Sequence, residues 1–291
     1  MRLVTAAATL TLIAGSLPAQ QLPSAIYTDP PQDAAYPARV EVVHIPSGGV
    51  GIVGVVYLAA GPGLHPTVIL CHGSPGNEKN LDLAQAVRRA GWNVITFNYR
   101  GSWGSPGAYR YAHTLEDGDA VVAFAHDSAN LRRLGIDTAR LVLVGHSLGG
   151  WVAAHTASHT PGLRGAILIS AADMGARGIK LSHAPDSVPR RVATDLASLA
   201  GVTGEQLADE LIANGARWSL DRAAPGLARL PLLELTADDA YTTDVNALVA
   251  GVRAAGNIHL TTEHVATDHA WSDRRIALEA SVIRWLDGVA R

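Results

Sequence analysis

Apolar and polar residues follow two different periods along this chain. Near the N-terminus, residues 38–45 (ARVEVVHI) and 50–58 (VGIVGVVYL) are rich in β-branched residues and flank a Ser-Gly-Gly turn. This pattern predicts a β-hairpin. Residues 67–71 (TVILC) then form a continuous apolar run, which is typical of a strand buried on both faces.

From this point to the C-terminus, apolar runs alternate with segments of helical periodicity. Strands are predicted at 93–98, 141–145, 165–170, 231–236 and 258–263, and helices at 81–90, 114–134, 148–159, 245–255 and 273–289. A hairpin followed by strand–helix alternation predicts an α/β fold, in which a mostly parallel sheet is covered by helices on both faces.

The alternation stops between residues 171 and 229. This region has helical spacing with Gly and Pro punctuation, and Thr203-Gly204-Glu205-Gln206 has the pattern of a helix start. An insertion here would lie over the carboxyl edge of the sheet, where open α/β folds bind ligands. We interpret 171–229 as a small helical cap, the alternative being a surface excursion that makes no substrate contact.

Residues 1–19 have the pattern of a secretory signal peptide, with one basic residue, an apolar run and a small-residue end. Cleavage near Ala19 would leave 20–291 as the folded domain and no membrane-spanning segment, and it predicts an exported protein. The alternative is a buried N-terminal helix. Cys71 is the only cysteine, so no intramolecular disulfide can form, and we expect it to be a packed core residue.

The composition is that of a folded domain, with 48% hydrophobic and 17% charged residues in 291. A net charge of −3 and the absence of a basic run give no electrostatic basis for binding nucleic acid. No clustered metal-ligand motif or nucleotide-binding glycine motif is present, so neither a metal nor a cofactor is expected.

Residues 141–151 (LVLVGHSLGGW) combine an apolar strand, a glycine-flanked turn and the start of a helix. Ser147 lies at the apex of the turn, between Gly145 and Gly149. Side chains at the glycine positions would collide with the adjacent strand and helix, while the turn exposes the Ser147 hydroxyl. The N–H of Leu148 begins the helix and can face a developing oxyanion. Ser147 is therefore the candidate nucleophile.

Two more motifs precede this turn, 72–76 (HGSPG) and 97–107 (FNYRGSWGSPG), and an Asp and a His follow later strands. With these motifs in this order, the chain from about Val40 onward resembles the α/β-hydrolase family, in particular its serine-esterase and prolyl-oligopeptidase-like branches. The resemblance implies the α/β-hydrolase fold and a Ser–His–Asp triad. It also implies that Arg100 braces the site.

The acid of such a triad should follow the strand at 231–236, where Asp238 and Asp239 both lie. The family pattern places the acid three residues after the small residue that ends the strand, here Thr236, and so selects Asp239. Asp238 and Asp173 remain alternatives. Thr236 is itself a departure, because glycine is common at that position in the family.

The base of the triad should be a histidine near the C-terminus. His264 belongs to the predicted strand end, whereas His269 lies in the loop before the closing helix. The residues around His269 (DHAWSDRR) resemble those around the catalytic histidine of the family, so we assign the base to His269. His146 is expected to pack under the turn that carries Ser147.

A second oxyanion donor is implied by the resemblance of 72–76 to the HGxxG arrangement of the family. Gly73 would allow close approach to the reacting carbonyl, and Ser74 would present its N–H, since Pro75 has none. Together with Leu148, Ser74 would form the oxyanion hole. Trp103 is a candidate substrate-binding residue, although a surface-loop position is an equal alternative.

A triad with an oxyanion hole transfers an acyl group to water. The sequence therefore predicts an exported serine hydrolase, a carboxylesterase in the first instance, acting on small-molecule esters or short peptides. A peptidase or aminoacyl-amide hydrolase of the prolyl-oligopeptidase type is the alternative, and a lipase is less favoured because the cap is rich in charged residues. An inactive binding module on the same fold is the hypothesis from a different class. The charged cap residues include Arg190, Arg191, Asp195, Asp209 and Glu210.

Overall fold

A computed structural model describes residues 21–184 and 196–290. The predicted signal peptide lies outside the described residues, as do the cap residues Arg190, Arg191 and Asp195. Within the described ranges, no helix has the length and apolar character needed to cross a membrane.

Eight strands form one sheet, in the order β1-β2-β4-β3-β5-β6-β7-β8. The β1–β2 and β2–β4 pairs are antiparallel, and every pair from β4 to β8 is parallel. The predicted mostly parallel sheet is confirmed. The strands are β1 Arg39–Ser47, β2 Val50–Leu58, β3 His65–Cys71, β4 Asn93–Phe97, β5 Ile136–His146, β6 Gly165–Ile169, β7 Leu232–Ala237 and β8 Leu260–Val265.

Helices α1 to α8 occupy the connections between parallel strands and α9 follows the last strand, as the alternation predicts. They are α1 Leu81–Arg89, α2 Tyr111–His126, α3 Ser128–Leu134, α4 Leu148–His159, α5 Met174–Ser182, α6 Gly204–Trp218, α7 Ala224–Leu227, α8 Thr242–Ala254 and α9 Arg275–Val289.

The sheet separates two apolar cores. Leu143 of β5 packs with α2, α4 and α8 on one face, and its neighbour Val144 packs with α1 and α9 on the other. Successive side chains of a strand point to opposite faces, so a strand covered on both faces is apolar at every position. This explains the continuous apolar runs and fixes the carboxyl ends of β3, β5, β6 and β7 along one edge.

The helix predicted over 114–134 is wrong in one respect, because it is two helices. Asp127 has extended backbone angles (φ −62°, ψ 128°) between α2 and α3. Its carboxylate accepts hydrogen bonds from the N–H groups of Ala129 and Asn130, both at 3.0 Å. An Asp side chain that caps a new helix competes with continuation of the old one, and here the cap prevails.

Within the described part of 171–229, the structure is helical and contains no strand. The predicted helix start is confirmed, since Thr203 and Gln206 form a reciprocal capping box at the beginning of α6. Helices α5 and α6 pack closely because Gly178 faces the α6 backbone and Gly215 faces α5. The segment before α6 is also joined to the loop after β4 by a bridge between Leu199 and Ser102.

Candidate active site

Ser147 lies at a strained turn between β5 and α4. Its φ of 58° and ψ of −123° are unfavourable for a residue with a side chain. The backbone compensates, because the Ser147 N–H donates to the Ile169 carbonyl at 3.0 Å and the Ser147 carbonyl accepts from Gly150 and Ala172, both at 3.0 Å. Strain of this kind is typical of a nucleophile held clear of a sheet edge.

Glycines are required on both sides of this turn. A Cβ on Gly145 would collide with the backbone of Gly149, and one on Gly149 would collide with the Cys71 carbonyl at the end of β3. A Cβ on Gly73 would lie 3.1 Å from that of Ser147. The end of β3 and the turn therefore pack backbone to backbone, as expected from the sequence.

Asp239 and His269 form a close pair beside the turn. The His269 Nδ1–H donates to Asp239 Oδ2 at 2.7 Å, which leaves Nε2 free to accept a proton. The Asp239 side chain is 6% exposed and that of His269 34%. Burial alone would raise the pKa of Asp239, but the bonds from His269 and from the Tyr241 N–H outweigh it and lower that pKa. Asp239 is thus a carboxylate that orients the imidazole.

Two further side chains lie around this carboxylate, and sequence reasoning missed both. Ser170, just after β6, helps to lower the pKa of Asp239. The buried Trp271 donates its indole N–H to Ser170 Oγ at 3.1 Å. Ser170 and Trp271 both have positive φ, 43° and 59°, so each loop is bent to bring its side chain here. The only signal in the sequence is the position of Trp271 in the DHAW segment.

His146 contacts the pair from below. Its Nε2–H donates to the His269 carbonyl at 2.8 Å, and the two rings lie 4.8 Å apart. Burial lowers the pKa of His146 to about 4, so the ring is neutral near pH 7. We expected His146 to pack under the turn; the structure adds that it also fixes the backbone of the loop that carries His269.

The other predicted candidates for the triad acid lie elsewhere. Asp238 pairs with His264 at 3.1 Å, and both side chains are at least half exposed. Asp173 caps α5 by accepting from the Ala176 N–H at 2.8 Å and also holds the Leu220 N–H at 3.0 Å. Among the three, only Asp239 contacts His269.

A cavity of about 250 Å³ opens in front of Ser147. The N–H groups of Ser74 and Leu148 have no hydrogen-bond partner among the described residues, so both are available to a ligand. Within the same residues the Ser147 hydroxyl makes no hydrogen bond, so a Ser147–His269 bond is not formed. Such bonds often tighten only with substrate. The cavity is lined by Ser74, Pro75, Asn77, Tyr111, Ser147, Leu148, Ala172, Met174, Arg177 and Tyr241.

Trp103 lines a neighbouring cavity of about 580 Å³ rather than the one at Ser147, and Asn77 borders both. Its indole N–H donates to the Pro75 carbonyl at 2.7 Å, and Lys79 lies 4.5 Å from the ring centre. The side chain is 41% exposed. The structure therefore places Trp103 against the loop that carries Ser74.

Arg100 is a buried brace, as expected. Its backbone N–H and its Nε–H both donate to the Asp117 carboxylate at 2.7 Å, and the guanidinium also pairs with Glu116. This ties the loop after β4 to α2. Cys71 is buried, and burial raises the pKa of its thiol to about 12, which keeps it protonated.

Comparison with known proteins identifies the family. The family model for the alpha/beta hydrolase fold matches residues 66–287. Two Mycobacterium tuberculosis proteins, MT2364 (strain CDC 1551 / Oshkosh) and Rv2307c (strain ATCC 25618 / H37Rv), are each 31% identical over 133 residues. That match covers 45% of this chain and 46% of theirs. The chain belongs to the α/β-hydrolase family.

Solved structures share the fold at low sequence identity. EstE1, a thermostable carboxylesterase cloned from a metagenomic library, superposes with a TM-score of 0.61 at 20% identity, over 90% of this chain and 92% of that one. Puromycin hydrolase superposes with a TM-score of 0.63 at 20% identity, over 90% of this chain but 40% of the other. Among the residues described here, no group of three or more His, Cys, Asp or Glu side chains is placed to hold a metal ion.

Proposed function

We propose that this protein is a serine hydrolase that cleaves carboxylic esters through Ser147, His269 and Asp239. The observation that carries the proposal is the 2.7 Å bond between His269 and the buried Asp239, located beside a strained serine turn. An acid that fixes the imidazole and a hydroxyl that opens onto a cavity beside it are the elements of nucleophilic acyl transfer.

In the proposed reaction, Ser147 Oγ attacks the ester carbonyl while its proton passes to His269 Nε2. The resulting oxyanion accepts hydrogen bonds from the N–H groups of Ser74 and Leu148. The C–O bond to the alcohol breaks as His269 returns the proton to that oxygen, which leaves an acyl-Ser147. Water then attacks the acyl group with His269 as base, and the acid is released with Ser147 restored.

The dimensions of the cavity support a small substrate. About 250 Å³ is below the usual range for drug-sized ligands, so short acyl groups should fit best. The test is a panel of 4-nitrophenyl esters of increasing chain length, run beside aminoacyl 4-nitroanilides. We expect turnover of the short esters and none after Ser147→Ala. Preferential cleavage of the anilides would favour the peptidase alternative, and unchanged ester turnover by Ser147→Ala would reject the proposal.

We also propose that the protein is exported. The support is the signal-like pattern of residues 1–19, which lie outside the described residues. N-terminal sequencing of the protein recovered from outside the cytoplasm is expected to begin near Gln20. Recovery of an uncleaved chain from the cytoplasm alone would contradict export.

A further inference from the structure

Arg177 of α5 lines the cavity at Ser147, and no described residue pairs with its charge. It is half-buried, and within the part of the chain that the structure describes its guanidinium makes no hydrogen bond or ion pair. Arg100 and Arg275, by contrast, are each held by carboxylates. The five N–H donors of this guanidinium are therefore left to solvent or to a ligand that enters the cavity.

Three carboxylates next to residues that line this cavity are already hydrogen-bonded. Asp173 holds the N–H groups of Ala176 and Leu220, and Glu210 accepts from the N–H groups of Tyr111 and Ala112, both at 2.9 Å. Asp239 is bonded to His269. None of the described residues that line the cavity is acidic, and Arg177 is the one charged side chain among them.

The charge of the guanidinium reaches a second side chain that lines the cavity, Tyr111. Burial raises the pKa of the Tyr111 hydroxyl to about 12, and the Arg177 charge opposes that rise, so the two groups interact electrostatically. Tyr111 and Ser147 line the same cavity. An anionic group bound there would lie in the same enclosed space as the nucleophile.

We propose that Arg177 is a substrate-binding residue that recognises a carboxylate, so that the preferred substrates are esters that carry a second, anionic carboxyl group. This inference rests on the proposed ester hydrolysis at Ser147. The carboxylate can belong to the acyl part or to the alcohol part, and the two sources are separated by experiment. A planar guanidinium suits this ligand because it can bind both carboxylate oxygens at once.

The acyl arm compares the 4-nitrophenyl monoester of glutaric acid with 4-nitrophenyl pentanoate. The alcohol arm compares 3-acetoxybenzoate with its methyl ester. We expect the anionic member of at least one pair to be favoured in kcat/KM, and Arg177→Met to reduce that preference by about 10- to 100-fold, as expected for loss of a charge-assisted hydrogen bond. Arg177→Lys should retain part of the preference.

Lys180→Met is the matched control. Lys180 is exposed, lies one turn farther along α5 and does not line the cavity, so its loss removes the same charge from the same helix. We expect it to leave the preference unchanged. Equal effects of Arg177→Met and Lys180→Met would overturn the proposal, because they would show a general charge effect. So would a preference for the neutral ester in both arms.

Binding without turnover separates this proposal from the one on which it rests. Monomethyl glutarate is titrated into Ser147→Ala protein by calorimetry, beside methyl butyrate. Binding of the anion that is lost in Ser147→Ala/Arg177→Met supports the Arg177 site even if no ester is hydrolysed by the parent protein. Equal binding to both variants would reject the site even if ester hydrolysis at Ser147 is established.

Discussion

Two Asp–His pairs lie side by side at the ends of β7 and β8, and they differ in their surroundings. Asp239 and His269, the inner pair, are 2.7 Å apart with an Asp side chain 6% exposed. Asp238 and His264, the outer pair, are 3.1 Å apart with an Asp side chain 64% exposed. The residue types are the same and the two acids are consecutive.

The difference lies in what holds each pair. Asp239 also accepts from the Tyr241 N–H and from Thr242, and His269 is fixed by His146. Among the described residues, the carboxylate of the outer pair is bonded only to His264. Solvent screens an exposed ion pair, so this pair contributes little. A hydrogen bond between an acid and a histidine therefore does not define a site; an acid held in place from several sides, next to a nucleophile, does.

Replacement of the two histidines should give the largest difference in kcat between the inner and the outer pair. His269→Gln removes the proposed base, and we expect kcat for a 4-nitrophenyl ester to fall on the order of 10⁵- to 10⁶-fold. His264→Gln removes the outer histidine and should leave kcat within about twofold. Steady-state kinetics of both variants provide the measurement. A similar loss in both would remove the distinction between the pairs.

Replacement of the two acids is the next largest test. Asp239→Asn cannot hold His269 in the required tautomer, so kcat should fall on the order of 10⁴-fold. Asp238→Asn is the matched control, one residue earlier and exposed, and should change kcat little. If Asp238→Asn is the damaging variant, the assignment of the acid is wrong, and Asp238 replaces Asp239 in the mechanism.

His146 should affect kcat only by holding His269 in position. His146→Leu removes the donor to the His269 carbonyl, and a small displacement of the imidazole should lower kcat about 10- to 100-fold with little change in KM. The control is His155→Leu, which removes a similar bond, from His155 to the Trp218 carbonyl at 3.2 Å, away from the site. It should leave kcat unchanged. Equal activity of both variants would show that His146 is only a packing residue.

Acid should lower the stability of the folded protein through two buried histidines. Burial lowers the pKa of His72 and of His146 from 6.5 to about 4. Between these values the unfolded chain binds more protons than the folded one, so the free energy of unfolding falls as pH decreases from 6.5 to 4. Above pH 6.5 the full contribution of each histidine to the free energy of unfolding, about 3 kcal/mol, is present.

Denaturant unfolding at several pH values measures this dependence. His146→Leu should flatten the curve between pH 6.5 and 4, because it removes one of the two buried histidines. Parallel curves for the parent protein and His146→Leu would show that His146 is not a buried neutral group.

The elements that could be predicted are those that depend on neighbouring residues in the chain. The turn at Ser147, the apolar strands and the capping box at Thr203 each follow from local sterics or hydrogen bonding. The family resemblance then added Asp239 and His269, whose contact spans 30 residues and has no local signal. One local prediction was wrong. The apolar pattern over 114–134 is continuous and predicts one helix, but the side chain of Asp127 caps a second helix and divides the segment in two.

The supports of the site could not be predicted because they are tertiary contacts. Ser170 and Trp271 meet 101 residues apart in the chain, and neither has a residue type that indicates the contact. Arg177 is one of several charged residues in a helical insertion, and only the packing of α5 brings it into the cavity. Trp103, for which the sequence left a substrate-binding and a surface-loop position open, contacts Pro75 beside a second cavity, and its role at the substrate stays a prediction.

Covalent labelling tests the central claim most directly. A fluorophosphonate reacts only with a serine whose hydroxyl is activated, and peptide mapping locates the adduct. We predict a single adduct at Ser147, formed far more slowly in Asp239→Asn and at the parent rate in Asp238→Asn. An adduct on a different residue, or no adduct in folded protein, would contradict the proposed site.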